Sequence, residues 1–287
     1  MDNEFVSYSF ILLLLATLAP GNVALAASHM EDATGVTSTT DFDGKHSSSH
    51  MGMGMDDLVN PAAKVFAFIK DIQVGKTMPI YFPYVSDPAS FEFLPEEKIH
   101  GIPLSSEQLP ELLRFFSFSL DSPQALAMKQ TLHMCEAKPL EREVVGCVTS
   151  FESLADFAQR FFEPDSRPRL GVLRSSPISD TTPLLQNYTV LEYEEISTGK
   201  IIPCHNEPYP YAVYFCHFQP DTVNKVFMVS LGGENGDRVD AVFLCHMDTS
   251  AWDAGHISFR LLGVKPGESE ICHFFPAYDL VVVPLPW

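Results

Sequence analysis

Apolar and polar positions fall into two textures along the 287-residue chain. From residue 65, VFAFIKDIQVGKTMPIYFP alternates apolar and polar positions on either side of Gly75, which predicts two short strands joined by a turn. Three helices follow, each with a recognisable start. SSEQLPELLRFF (105–116) puts Ser105 and Gln108 at capping-box spacing, and SPQALAMKQTLHM (122–134) has Ser122 as cap with Pro123 at the first helical position. TSFESLADFAQRFF (149–162) pairs Thr149 with Glu152 in the same box. From Tyr188 the texture turns to strands: TVLEYEEI, YAVYFCHF, KVFMVSL, DAVFLCHM, HISFRLLGV, SEICHFF and DLVVVPL, rich in Val, Ile, Phe and Tyr. Gly232-Gly233 and Asn235-Gly236-Asp237 supply turn signals between them. A strand ending in Cys-His is followed by a second apolar strand three times, a weak internal repeat. Helices before and strands after predict an α+β class: an N-terminal helical segment packed on a C-terminal antiparallel sheet or partly closed barrel built from Cys-His hairpins.

The first residues follow neither texture. Phe10 to Ala19 form an apolar run of ten, too short to span a bilayer, and Ala24-Leu25-Ala26 fits a small-residue cleavage site. The segment before the run carries Asp2 and Glu4 and no Lys or Arg, which is irregular for a signal peptide. We nevertheless read 1–26 as a signal peptide, 27–64 as a polar Ser/Thr/Gly/Met-rich leader without apolar periodicity, and 65–287 as the folded domain. Removing 1–26 takes the formal charge from −19 to −17. So acidic a chain, with no basic cluster, argues against nucleic-acid binding and against adhesion to anionic lipids or acidic polysaccharides. No later stretch reads as a membrane span, so no membrane association is expected after cleavage.

Export implies an oxidising compartment, where six cysteines read as three disulfides. Cys135 and Cys147 lie at the end of the second helix and just before the third, so a bridge between them would fasten the two across a short loop. Cys204, Cys216, Cys245 and Cys272 leave three connectivities open. Asn187-Tyr188-Thr189 is a glycosylation sequon usable during secretion.

Those last four cysteines carry the candidate chemistry, because each is followed by histidine: His205, His217, His246 and His273, with 10, 27 and 25 residues between successive pairs. In a strand, neighbouring side chains point to opposite faces, so Cys and His of one pair do not serve one metal. The simpler arrangement joins the sulfurs as disulfides on one face and projects the imidazoles from the other. Nitrogen donors without thiolates suit Cu(II), Zn(II) or Ni(II), with copper highest in affinity. The plain alternative is a set of disulfide cysteines beside incidental, solvated histidines.

The spacing C-H-x10-C-H-x27-C-H-x25-C-H resembles the signature of the plant BURP-domain family. The resemblance extends to GKTMPIYFP, FFSFSLDSPQALAMKQTLHMCE, CHMDTSAWDAGHISF and CHFFPAYDLVVV, covering about residues 65–287. A short leader without long tandem repeats is similar to the unknown-seed-protein type, and the PLPW ending departs from the expected last strand. The resemblance implies residence in the secretory pathway, either extracellular and cell-wall or in the protein storage vacuole. It implies roles in seed or reproductive development or stress, with wall or storage components as partners. For some members it implies copper-dependent autocatalytic peptide cyclisation, in which dioxygen is used to crosslink a Tyr or Trp of a core peptide on the same chain. Carried over, the ligand candidates are His205, His217, His246 and His273, with His256 of the DTSAWDAGHISF segment as a fifth.

The leader brings no substrate for such a reaction: residues 27–64 contain neither Tyr nor Trp. We therefore expect a copper-binding member without self-cyclising activity, with cyclisation of a peptide as the alternative. The leader's HSSSHMGMGM contains His46, His50, Met51, Met53 and Met55, donors that suit copper, but reads as a low-complexity linker. No nucleophile elbow, Walker loop or H-E-x-x-H motif is present.

Overall fold

The computed structural model describes residues 64–85, 91–139, 143–162 and 169–284. The segments expected to be a signal peptide (1–26) and, but for residue 64, a leader (27–64) lie outside the described residues. Among the described residues, eleven strands form two antiparallel sheets. The first sheet contains β1 (Phe66–Ala67), β2 (Thr77–Tyr81), β5 (Leu185–Gly199), β8 (Asn224–Gly233), β9 (Arg238–His246) and β10 (Ile271–Phe274), in the order β1-β10-β9-β8-β5-β2. The second contains β3 (Val144–Val148), β4 (Leu170–Leu173), β6 (Ile202–Glu207), β7 (Val213–Phe218) and β11 (Leu280–Pro284), in the order β3-β7-β6-β11-β4. The helices are α1 (Glu96–Ile99), α2 (Leu109–Phe115), α3 (Pro123–Glu136), α4 (Phe151–Phe161) and α5 (Ile257–Leu262). Few helices and many antiparallel strands place the fold in the α+β class.

The two-residue period of the strands sorts their side chains into three apolar layers. Val226, Val242 and Leu244 of the first sheet meet Val281 and Val283 of the second, with Ile201 and Phe275, in a layer between the sheets. The other face of the first sheet buries Phe227, Val229, Leu231, Phe243, Cys245 and Cys272. On the far face of the second sheet, Leu154, Phe157, Ala158 and Phe161 of α4 pack against Cys204, Tyr214, Cys216 and Phe218. Buried Leu112 and Leu113 of α2 join Met128 and Leu132 of α3 in a smaller cluster.

Several local expectations change. The two strands predicted around Gly75 do not pair with each other: β1 pairs with β10 and β2 with β5, and a 3-10 turn over Ile69–Asp71 intervenes. The helix expected over 105–116 splits into a 3-10 turn (Ser106–Gln108) and α2, and the Ser105 side chain makes no cap bond. Ser122 caps α3 as expected, accepting from the Ala125 N–H. The box ahead of α4 sits one residue later than Thr149–Glu152, between Ser150 and Ser153. HISFRLLGV is not a strand but carries α5, capped by His256 and ended by Gly263 in the left-handed region at φ 69°. β3 and β4 are edge strands the apolar pattern does not announce. The last strand forms through Pro284 despite the departure in the ending.

Candidate functional site

The four Cys-His dipeptides lie on β6, β7, β9 and β10, two in each sheet. Strand register brings the cysteines opposite each other: Cys204 faces Cys216 on β6 and β7, and Cys272 faces Cys245 on β10 and β9. Disulfides link both pairs, and a third joins Cys135 to Cys147. Of the three connectivities open in sequence, this is 204–216 with 245–272. The first pair closes a tight two-stranded turn, whereas the second joins strands connected through α5. All four of these cysteines are fully buried in the outer layers.

Alternation then sends the imidazoles the other way, into the space between the sheets beside Phe275. There they form a closed ring. His205 and His217 lie 5.5 Å apart by ring centroid, His217 and His246 6.5 Å, His246 and His273 5.6 Å, and His273 and His205 6.1 Å. Neighbouring rings are nearly parallel, tilted by 14–29°. Each sheet contributes one pair, and each pair is backed by one disulfide. Phe275 packs on His205 and His273 at 5.3 and 4.7 Å. Its backbone is pinned by the Ser175 hydroxyl, which donates to the Phe275 carbonyl and accepts from the Val242 N–H.

Two carboxylates orient two of the rings. Asp279, the residue before β11, places Oδ2 2.9 Å from His205 Nδ1, while its Oδ1 accepts the Asn206 N–H at 2.9 Å. Burial opposes a charge on His205, but the Asp279 carboxylate, with Glu207, more than offsets it and raises the pKa above that of an ordinary histidine. Glu143, the residue before β3, lies 3.3 Å from His217 Nδ1. A carboxylate on Nδ1 leaves Nε2 as the nitrogen able to face another partner, the arrangement also found behind metal-bound histidines.

Trp252 lies 4.9 Å from both His246 and His256, so the indole touches both histidines. The His256 Nδ1 is 2.7 Å from the Ser258 hydroxyl at the start of α5, a capping role. The sequon residue Asn187 is exposed on β5, with its amide donating to Glu234. Trp252 and Phe275 lie close in sequence to His246 and His273, inside the segments that carry the resemblance. Asp279 and Glu143 reach His205 and His217 only through the register of distant strands.

The donor set suits copper in kind: four imidazoles, and no thiolate, because all six cysteines are bridged. Its spacing is wider than one ion requires. A metal–nitrogen bond of about 2.0–2.1 Å places neighbouring centroids about 5 Å apart around a tetrahedral ion. Among the described residues no group of three or more His, Cys, Asp or Glu is close enough, as placed, to hold a metal. To hold one ion, the rings would have to draw in by about 1 Å. Among the described residues no helix is long and apolar enough to cross a membrane.

Comparison with known proteins gives a consistent answer. The BURP domain family model matches residues 65–284. BURP domain-containing protein 3 of Oryza sativa subsp. japonica is 38% identical over 226 residues, covering 77% of this chain and 51% of that protein. BURP domain protein USPL1 of Arabidopsis thaliana is 36% identical over 229 residues, covering 78% of this chain and 81% of USPL1. BURP domain protein RD22 of the same plant is 35% identical, with 77% of this chain and 56% of RD22 covered. The chain thus spans about half the length of the rice relative and most of USPL1.

Proposed function

Because the chain belongs to the BURP-domain family, we propose that it is a copper-binding member of the plant secretory pathway, extracellular or vacuolar, acting in seed or reproductive development or stress response. The observation that carries the copper reading is the closed ring of four imidazoles between the sheets. His205, His217, His246 and His273 would hold the ion, and bound copper would supply a one-electron redox centre. The protein's own groups prepare the place. Two buried disulfides fix the strands from behind, and Asp279 and Glu143 set the orientation of two rings. Phe275 and Trp252 wall the cluster with apolar surface that limits water. Wall or storage components are the partners proposed with this reading.

The leader, which contains no Tyr or Trp between residues 27 and 64, supports a member without self-cyclising activity. One observation favours the alternative of a copper-dependent oxidative peptide cyclase: an oxidisable indole, Trp252, sits 4.9 Å from His246. Two measurements test these readings. Elemental analysis and electron paramagnetic resonance of the oxidised protein given Cu(II) are expected to show bound copper with nitrogen ligands, lost in the variant with all four histidines changed to alanine. Equal uptake by that variant overturns the copper reading. Mass spectrometry of the loaded protein in air is expected to show no loss of 2 Da within residues 27–64, and such a loss supports the cyclase.

A further inference from the structure

Asn224, the first residue of β8, lies directly across the strand pair from His246. Directly opposed residues share a face, with Cβ atoms about 4.5–5.5 Å apart. Its side chain therefore stands on the inter-sheet face, at the His246 corner of the imidazole ring, continuing the row of Val226 and Met228. Asn224 is 4% exposed, and its Oδ1 is buried with no hydrogen-bond partner among the described residues. A buried acceptor without a donor weakens a fold, and apolar side chains of similar volume avoid that loss. The neighbouring positions on that face, Val226, Val242 and Leu244, are filled by such side chains. An amide there adds a partial negative charge beside a nitrogen cluster and gives packing nothing that leucine would not.

From this placement we propose that Asn224 is a further residue of the site, supplying its amide carbonyl as an oxygen contact to the cation held by the imidazoles. The inference rests on the copper reading and adds to it. Copper sites built from nitrogen ligands accept a weak oxygen donor as an additional contact, and a neutral amide serves without adding charge. It also separates the four corners of the ring, since this donor belongs to the His246 corner.

The test uses the full chain, with Cu(II) alone as probe. In Asn224→Leu the metal-free protein is expected to melt at or above the wild-type temperature. Its Cu(II) affinity is expected to fall about tenfold or more, with a changed paramagnetic resonance spectrum. Asn224→Asp, which keeps an oxygen donor, is expected to restore binding. Wild-type affinity in Asn224→Leu overturns the inference whatever the melting temperature does. Weakened binding that Asn224→Asp does not restore also overturns it, marking a structural residue only. Should Asn224→Leu fail to fold, Asn224→Ala is read in the same way. If the wild-type protein takes up no Cu(II), the copper reading itself fails and takes this contact with it, whereas the other failures leave that reading standing.

Discussion

Asp279 uses both carboxylate oxygens, one on the Asn206 N–H and the other on His205 Nδ1. Asp279→Asn keeps the size but gives up the charge, and one side of the amide can no longer accept. We expect a loss of about 1–3 kcal/mol in the metal-free protein by urea unfolding. A 10–100-fold drop in Cu(II) affinity is expected alongside, as for partners behind metal-bound histidines. A surface carboxylate behaves differently. Glu136, at the end of α3, accepts from the hydroxyl and then the backbone N–H of Ser106, and these bonds hold its carboxyl below the ordinary range. A depressed carboxylate pKa contributes stability above the unfolded value, lost as pH falls through the folded one. Glu136→Gln should therefore be slightly less stable than wild type at neutral pH, by under about 1 kcal/mol for so exposed a contact. The difference should vanish in acid, as a pH series of denaturation curves would show.

At the scale of elements, what the chain's pattern conveys and what it withholds have identifiable causes. Cys-His adjacency on strands forces sulfur and imidazole onto opposite faces, a fact of alternation alone, and the structure keeps to it at all four dipeptides. α3 was legible because Ser122 and Pro123 mark its start without competition. Around α4, Thr149, Ser150, Glu152 and Ser153 offer two overlapping boxes, and the serine pair forms. HISFRLLGV misleads because its branched and aromatic residues mimic a strand, although His256 as cap and Gly263 as stop were both present. β3 and β4 hide because VVGCV and LGVL are short apolar runs without the alternation that marks a half-buried strand. Pairing across 74 residues, as between His205 and Asp279, has no local signature. The bridges also differ by location. Cys135 and Cys147 are partly exposed, whereas Cys204, Cys216, Cys245 and Cys272 are fully buried. Graded reduction followed by alkylation and mass mapping should label Cys135 and Cys147 first. Losing either buried bridge should then cost about 3 kcal/mol. Earlier labelling of the buried pairs would contradict this order.

Taken whole, the molecule draws half of its imidazoles from each sheet, so anything bound by all four ties the sheets together. Calorimetry should show the unfolding transition of the entire described domain shifting upward with Cu(II), by about 2.7 kcal/mol when the free metal is a hundredfold above its dissociation constant. Both His205→Ala/His217→Ala and His246→Ala/His273→Ala should abolish the shift. A full shift in either would mean that one sheet binds alone. The same shared construction has a consequence for biosynthesis. β1 pairs with β10, joining Phe66 to His273, and the second sheet awaits β11 to fill the place between β6 and β4. Neither sheet can be finished from a nascent fragment. The opening strand of the domain must wait for β10 to emerge, so the ring of nitrogens is assembled only once nearly all of the domain has been made.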